Sequence, residues 1–252
     1  MTTGQPVKLH CFSHAGAGVS CFNSWPAVAG PGVEVVPVRL PGRETRLRQP
    51  RLTTCAELRE DLLGRLAEAA YQGPYALYGH SLGALVAYVL TRALAETGAP
   101  PPLFLAVGAC MPPDTTTPLL GAAELSDEEL FVHLADLGSL PKGAGAAPGG
   151  LWRRAVLPVL RDDLRLAARL REAAVDPLAG GPVDVPLVVF SGSEDPVAPP
   201  APLDGWRHWT TGPFARHTVA GDHFFVRGGE LPRLVGDVCR EYDLRAAVPG
   251  LR

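Results

Sequence analysis

Residues Gly79-His80-Ser81-Leu82-Gly83 form a Gly-x-Ser-x-Gly run, a spacing that suits nucleophilic catalysis when it joins a strand to a helix. It follows an apolar stretch at 75–78 and opens a helical pattern from Leu82. The glycines permit a sharp, strained turn, because a side chain at either position would collide with neighbouring backbone. Ser81 then projects above a sheet at a helix N-terminus, where backbone dipoles favour a developing oxyanion. In a glycine-rich chain the five residues alone arise easily by chance. The strand–turn–helix setting gives them weight.

A serine hydroxyl is a poor nucleophile and needs a base that is itself oriented by a third group. In nucleophile turns of this kind the chain order is serine, acid, histidine. Four histidines follow Ser81: His133, His208, His217 and His223. His217 lies inside a predicted strand, His208 between two tryptophans in an irregular stretch, and His133 in a helical region interrupting the strand pattern. His223, in Ala220-Gly221-Asp222-His223-Phe224-Phe225 after the last predicted strand, is the expected base, with Asp222 shaping its loop. Glu194 and Asp195 compete for the acid at the end of a buried-looking strand, 187–190. Asp195 is preferred because Pro196 fixes its turn and its short side chain suits a rigid contact. The small-residue loop His14-Ala15-Gly16-Ala17-Gly18 lets backbone amides approach a substrate oxygen, and the amides of Ala15 and Leu82 make the expected oxyanion hole. Taken alone the loop also fits a plain turn. It lacks the G-x-G-x-x-G register, and no phosphate-binding Lys loop occurs, so nucleotide binding has no support.

Residues so far apart must be gathered by a sheet. Short apolar runs fall at 7–12, 33–40, 75–78, 103–109, 186–191 and 214–219, as expected of parallel strands covered on both faces. Helical patterns lie between them. Thr54 and Glu57 read as a capping box ahead of Leu58, Leu62 and Leu66; a second helix runs from Leu82 to about Glu96 with Gly98 to end it; a third covers about 230–245. This alternation predicts an α/β fold with a mostly parallel, doubly wound sheet. The rhythm breaks in the middle. Residues 1–111 and 182–252 are expected to form the core, with 112–181 a helical lid inserted in it, jointed at the Gly/Ala-rich stretch 143–150 and helical again over 152–174 with a bend at Pro158. A purely structural helical subdomain is the plainer alternative.

Composition narrows the function classes. The chain has 252 residues, 46% hydrophobic and 19% charged, with a net charge of −3, which argues against general nucleic-acid binding. An apolar run at 103–111 is half the ~18 residues needed to cross a membrane, and the first residues lack the basic and apolar segments of an export signal. A cytoplasmic monomer is expected. Five cysteines without a CxxC pair give no zinc knuckle or redox dithiol, and free thiols are expected to be buried. Arg39, Arg43, Arg46, Arg48 and Arg51 are balanced locally only by Glu44. Such a run is either a solvated face or, through Arg39, Arg43 and Arg46, a docking surface for an anionic partner.

Taken together, Cys11-Phe12-Ser13-His14-Ala15-Gly16, Leu40-Pro41-Gly42-Arg43-Glu44, Gly79-His80-Ser81-Leu82-Gly83-Ala84, Gly192-Ser193-Glu194-Asp195 and Gly221-Asp222-His223-Phe224-Phe225 resemble the stand-alone type II thioesterases of polyketide and nonribosomal peptide synthesis. The resemblance covers nearly the whole chain. It implies an α/β-hydrolase fold and an editing enzyme that hydrolyses acyl groups from the phosphopantetheine arm of acyl or peptidyl carrier proteins. By position it implies Ser81 as nucleophile, His223 as base and Asp195 as orienting acid, with Ala15 and Leu82 lending amides and no metal or organic cofactor. Ser13 stands where proline is common and Leu82 where methionine is frequent; position 82 acts through its amide. Arg161-Asp162 resembles a recurrent Arg-x-Asp region whose role the sequence does not explain. The competing readings are a small-molecule serine esterase or lipase, a cyclising release enzyme, and a non-catalytic carrier-protein-binding module.

Overall fold

The computed structural model describes residues 4–138, 140 and 150–247. Six strands, β1 (Val7–Phe12), β2 (Val33–Pro37), β3 (Tyr75–His80), β4 (Leu105–Gly108), β5 (Leu187–Gly192) and β6 (Phe214–Val219), make one sheet in the order β2-β1-β3-β4-β5-β6. Every pairing is parallel. The chain winds outward from β1 to β2, then crosses back to β3, so the strand order reverses between β1 and β3. In open α/β sheets such a reversal leaves a crevice at the carboxyl ends of the strands.

Alternation along each strand sends side chains to two helical layers. Tyr75 and Leu77 of β3, with Leu187 and Val189 of β5, face one apolar cluster. Ala76 and Tyr78, with Val188 and Phe190, face the other. The first cluster is covered by α2 (Cys55–Ala70) and α3 (Leu82–Thr97). Thr54 caps α2 by accepting from the Glu57 amide while the Glu57 side chain accepts from the Thr54 amide, so the buried face Leu58, Leu62, Leu66 starts in register. Helix α3 is apolar on nearly every side and ends at Gly98, φ +73°. The second cluster is covered by α1 (Trp25–Val28) and α7 (Glu230–Ala247), the latter through Leu231, Val235 and Cys239.

Among the described residues, three α-helices lie between β4 and β5: α4 (Asp127–Asp136), α5 (Leu151–Ala155) and α6 (Leu157–Val175). Leu130 and Leu134 of α4 pack with Leu157, Leu160 and Leu164 of α6 in a third apolar cluster. The expected single helix over 152–174 is instead two, broken at Val156. Pro158 falls in the first turn of α6, where its missing N–H interrupts no intrahelical bond, so the chain breaks ahead of it rather than bending at it. Most of the expected Gly/Ala joint, 143–149, lies outside the described residues. Among the described residues no helix is long and apolar enough to cross a membrane. All five cysteines are free; Cys11, Cys110 and Cys239 are buried, whereas Cys21 and Cys55 are only half-buried.

Candidate active site

Strand β3 runs into Ser81, which stands at the N-cap of α3 with φ +55°, ψ −114°. The reason is steric. A Cβ on Gly79 would lie 1.9 Å from the Gly83 carbonyl oxygen, and one on Gly83 would lie 2.1 Å from the Phe12 carbonyl oxygen. Only glycine at both positions lets the turn close this tightly against β1. The Ser81 amide donates to the Gly108 carbonyl, 2.8 Å, which ties the strained residue to β4.

Asp195 follows the end of β5, and His223 follows the end of β6. The two loops meet above Ser81. His223 Nε2 lies 3.2 Å from Ser81 Oγ, and His223 Nδ1 lies 2.9 and 3.0 Å from the two Asp195 oxygens. Asp195 also accepts from the amides of Val197, 2.9 Å, and Ala198, 3.0 Å. Burial works to raise the Asp195 carboxyl, but the hydrogen bond and charge of His223, with those two amides, outweigh it and hold the acid below its ordinary range. Glu194 is exposed, and Asp222 accepts from the Phe224 amide within its own loop, 2.8 Å. The other histidines are elsewhere: His133 bonds the Pro118 carbonyl, His208 is exposed, and His217 stacks on Phe190.

Two hollows meet at Ser81. One, about 620 Å³, is bounded by the loop after β1, by His223 and Phe224, and by Leu160 and Leu164 of α6. The other, about 50 Å³, lies between Leu82, Leu85, Met111 and Val197. Ala15 and Leu82 both border the smaller hollow with Ser81. Among the described residues neither of their backbone N–H groups has an acceptor in the protein. A hydroxyl hydrogen-bonded to an imidazole, an imidazole held by a carboxylate, and two open amides are together equipped for acyl transfer.

Residues 7–242 match the thioesterase domain family model. The chain belongs to the thioesterase family. Its relatives include the RedJ thioesterase of the prodiginine biosynthetic pathway in Streptomyces coelicolor, 38% identical, with a TM-score of 0.80 over 94% of this chain and 91% of that one. The type II thioesterase BorB from the borrelidin biosynthetic cluster is 30% identical, with a TM-score of 0.76 over 96% and 94%. The medium-chain S-acyl fatty acid synthase thioesterase of Rattus norvegicus is 31% identical over 221 residues, 87% of this chain and 81% of its own. The parallel sheet with its two helical layers is the α/β-hydrolase fold expected from the sequence.

Sequence reasoning did not single out two histidines of this thioesterase site. His80 is fully buried; its Nε2 lies 2.8 Å from the His223 carbonyl oxygen and its Nδ1 2.7 Å from the Tyr78 hydroxyl. A carbonyl can only accept, so Nε2 carries the proton and Nδ1 accepts from Tyr78. Burial, then the charge of His223, push His80 down to about 3, so it is a neutral strut. His14 borders the larger hollow with its ring 5.3 Å from Phe224 and 5.9 Å from His80, and burial holds it well below the ordinary histidine value. The signal for His80 was its place inside the serine motif; nothing in spacing marked His14 beyond its glycine-rich neighbours.

The arginine run needs correction. Arg43 is not on a docking surface: it is 7% exposed, and its guanidinium bonds both oxygens of Asp163, at 2.6 and 3.0 Å. A carboxylate contributed by α6 from 120 residues away draws it inward, which its local sequence could not show. Arg39 pairs with Glu44 at 2.9 Å, Arg46 bonds Asp61 at 2.8 Å, and Arg51 pairs with Asp162 at 2.6 Å. Arg161 binds the Leu125 carbonyl at 2.6 Å and Asp127 at 2.7 Å, joining α6 to the start of α4.

Proposed function

We propose that this thioesterase hydrolyses acyl groups from the phosphopantetheine arm of acyl or peptidyl carrier proteins, clearing aberrant or stalled chains during natural-product assembly. The observation that carries the reading is the hydrogen-bonded series Ser81–His223–Asp195, whose serine and histidine line a roughly 620 Å³ hollow. Relatives from the prodiginine and borrelidin systems support the substrate class.

His223 takes the Ser81 proton as Oγ attacks the thioester carbonyl, while Asp195 holds the imidazole in the tautomer that presents Nε2. The amides of Ala15 and Leu82 receive the oxyanion. The intermediate collapses by breaking the C–S bond, and the departing pantetheine sulfur takes the imidazolium's proton, leaving as the thiol and returning His223 to its neutral form. The same imidazole then activates water, which releases the acid and restores Ser81. All of these groups come from one chain, which is compatible with the monomer this reading takes, and the reading places the enzyme in the cytoplasm beside its synthase. Segment 112–181 acts as a lid whose α6 side chains wall the hollow. Of the three arginines expected to dock a carrier, the half-buried Arg39 and Arg46 remain. Arg39 is the better placed, since its partner Glu44 also binds the amide of Val19, whose neighbours Gly18 and Ser20 line the larger hollow.

The test compares hydrolysis of acyl thioesters on a carrier protein with that of simple aryl esters of the same acids, in wild type and Ser81→Ala. A higher kcat/KM on the carrier-bound thioester, abolished in Ser81→Ala, is the expected result. A preference for the simple ester assigns a small-molecule esterase, and full activity in Ser81→Ala contradicts the covalent route.

A further inference from the structure

Two motifs of the sequence, 40–44 and 161–163, take no part in the chemistry above, yet their side chains meet behind the loop that carries Ala15. Asp163 Oδ2 accepts from the Gly16 amide at 2.7 Å. Arg43 grips both oxygens of Asp163 and also donates to the Ala17 carbonyl at 2.8 Å. Glu44 accepts from the Val19 amide at 3.0 Å. Within that grip, the Ala17 amide donates to the His14 carbonyl at 3.1 Å, so residues 14–17 form a β-turn. Gly16 is its third residue, with φ +74°, the sign that a type II turn requires there.

We propose that Arg43 and Asp163 are positioning residues that lock this turn and thereby aim the Ala15 amide at the substrate oxyanion. The inference rests on the thioesterase reading and deepens it. Types I and II differ by a rotation of the central peptide, here Ala15–Gly16. Asp163 selects one orientation, because the rotated peptide would turn the Ala15 carbonyl toward its carboxylate. The Ala15 N–H lies in the preceding peptide, His14–Ala15, and is held indirectly, by the fixed backbone of a turn pinned at Gly16 and at the Ala17 carbonyl. Both ionic partners are buried, 7% and 1% exposed, so the pair is shielded from solvent screening. Burial raises the Asp163 carboxyl, and the Arg43 guanidinium and Gly16 amide oppose that shift. Arg43 has a second use: it balances a carboxylate that would otherwise oppose negative charge developing near Ala15. The inserted helix α6 thus completes the oxyanion site through a single residue.

The experiment uses Asp163→Asn and the charge-free double variant Arg43→Met/Asp163→Leu. Each is measured for kcat and KM on a carrier-bound acyl thioester, for affinity for an acyl trifluoromethyl ketone that adds to Ser81, and for affinity for the matching non-electrophilic thioether. Loss of aim should lower kcat about 10- to 100-fold, less than outright deletion of an oxyanion donor. Trifluoromethyl ketone affinity should fall by a similar factor, while KM and thioether affinity stay within about twofold. The double variant leaves no unpaired buried charge and should fold, yet show the same kcat deficit. Normal kcat and ketone affinity in either folded variant overturns the inference, and so does a parallel loss of thioether binding. Failure of the thioesterase reading is distinct: wild type itself would then lack Ser81-dependent turnover.

Discussion

His80 donates from Nε2 to the main-chain carbonyl of His223 across 2.8 Å, so the residue beside the serine holds the loop that carries the imidazole. Tyr78, two residues back on the same strand, orients the His80 ring. Replacing His80 with phenylalanine leaves the His223 carbonyl buried without a donor, at a cost of about 1–3 kcal/mol. The base also loses a fixed position, and kcat should fall roughly tenfold to a hundredfold with KM little changed. Tyr78→Phe should show the same pattern more weakly. Urea unfolding alongside steady-state kinetics checks both; a His80→Phe enzyme with normal kcat contradicts the strut.

Stability should fall on mild acidification. Burial holds His10 at about 4 and His80 at about 3, and holds His14 well below the ordinary value. All three rings stay neutral in the fold and take up protons when it opens. The unfolded chain therefore binds more protons once pH drops below about 6.5, and the stability that is full above that value is lost progressively toward pH 4. Each ring contributes a slope of about 1.4 kcal/mol per pH unit in this window. Urea midpoints at pH 7.5 and 5 should separate clearly, and His10→Leu, away from the site, should reduce the separation. Equal midpoints at the two pH values would contradict the burial of neutral histidines.

The serine turn should reject even a methyl group. Gly83→Ala drives a Cβ to 2.1 Å from the Phe12 carbonyl oxygen and Gly79→Ala to 1.9 Å from that of Gly83. Backbone cannot step aside as a flexible side chain can, so either change should cost at least the ~1–3 kcal/mol of overpacking and displace Ser81. Activity should drop by roughly a hundredfold or more, the scale expected of a 1 Å misplacement. Gly98→Ala is the control: its Cβ meets open space at φ +73°, so it should cost only about 1–2 kcal/mol and spare activity. Thermal melts with kcat/KM compare the three.

What the sequence made legible follows from the range of the forces involved. Strands β1 and β6 and the capping box at Thr54 depend on neighbours within a few residues, and those neighbours are visible in order. That Ser81, Asp195 and His223 would meet was legible because each follows a recognisable strand end, and the parallel sheet brings such ends to one edge. Asp195 was preferred to Glu194 for its short side chain and the turn fixed by Pro196, and it is the one that meets His223 while Glu194 is exposed. Arg43 was misread as a surface cation because its partner, Asp163, comes from a helix 120 residues later. Val156 was missed as a helix break since Pro158 announces a disruption without saying that the chain will yield ahead of it. His14 owes its place to the meeting of β1, β3 and the β6 loop, which no local pattern records.

Turnover by the covalent route requires that Ser81 become acylated. Brief incubation of the protein with a carrier-bound acyl thioester, followed by acid quench and intact-mass analysis with peptide mapping, tests it directly. An added mass equal to the acyl group, located on Ser81, should be present in wild type and absent in Ser81→Ala. Turnover of the thioester with no adduct in the burst phase, or an adduct that persists in Ser81→Ala, would contradict it.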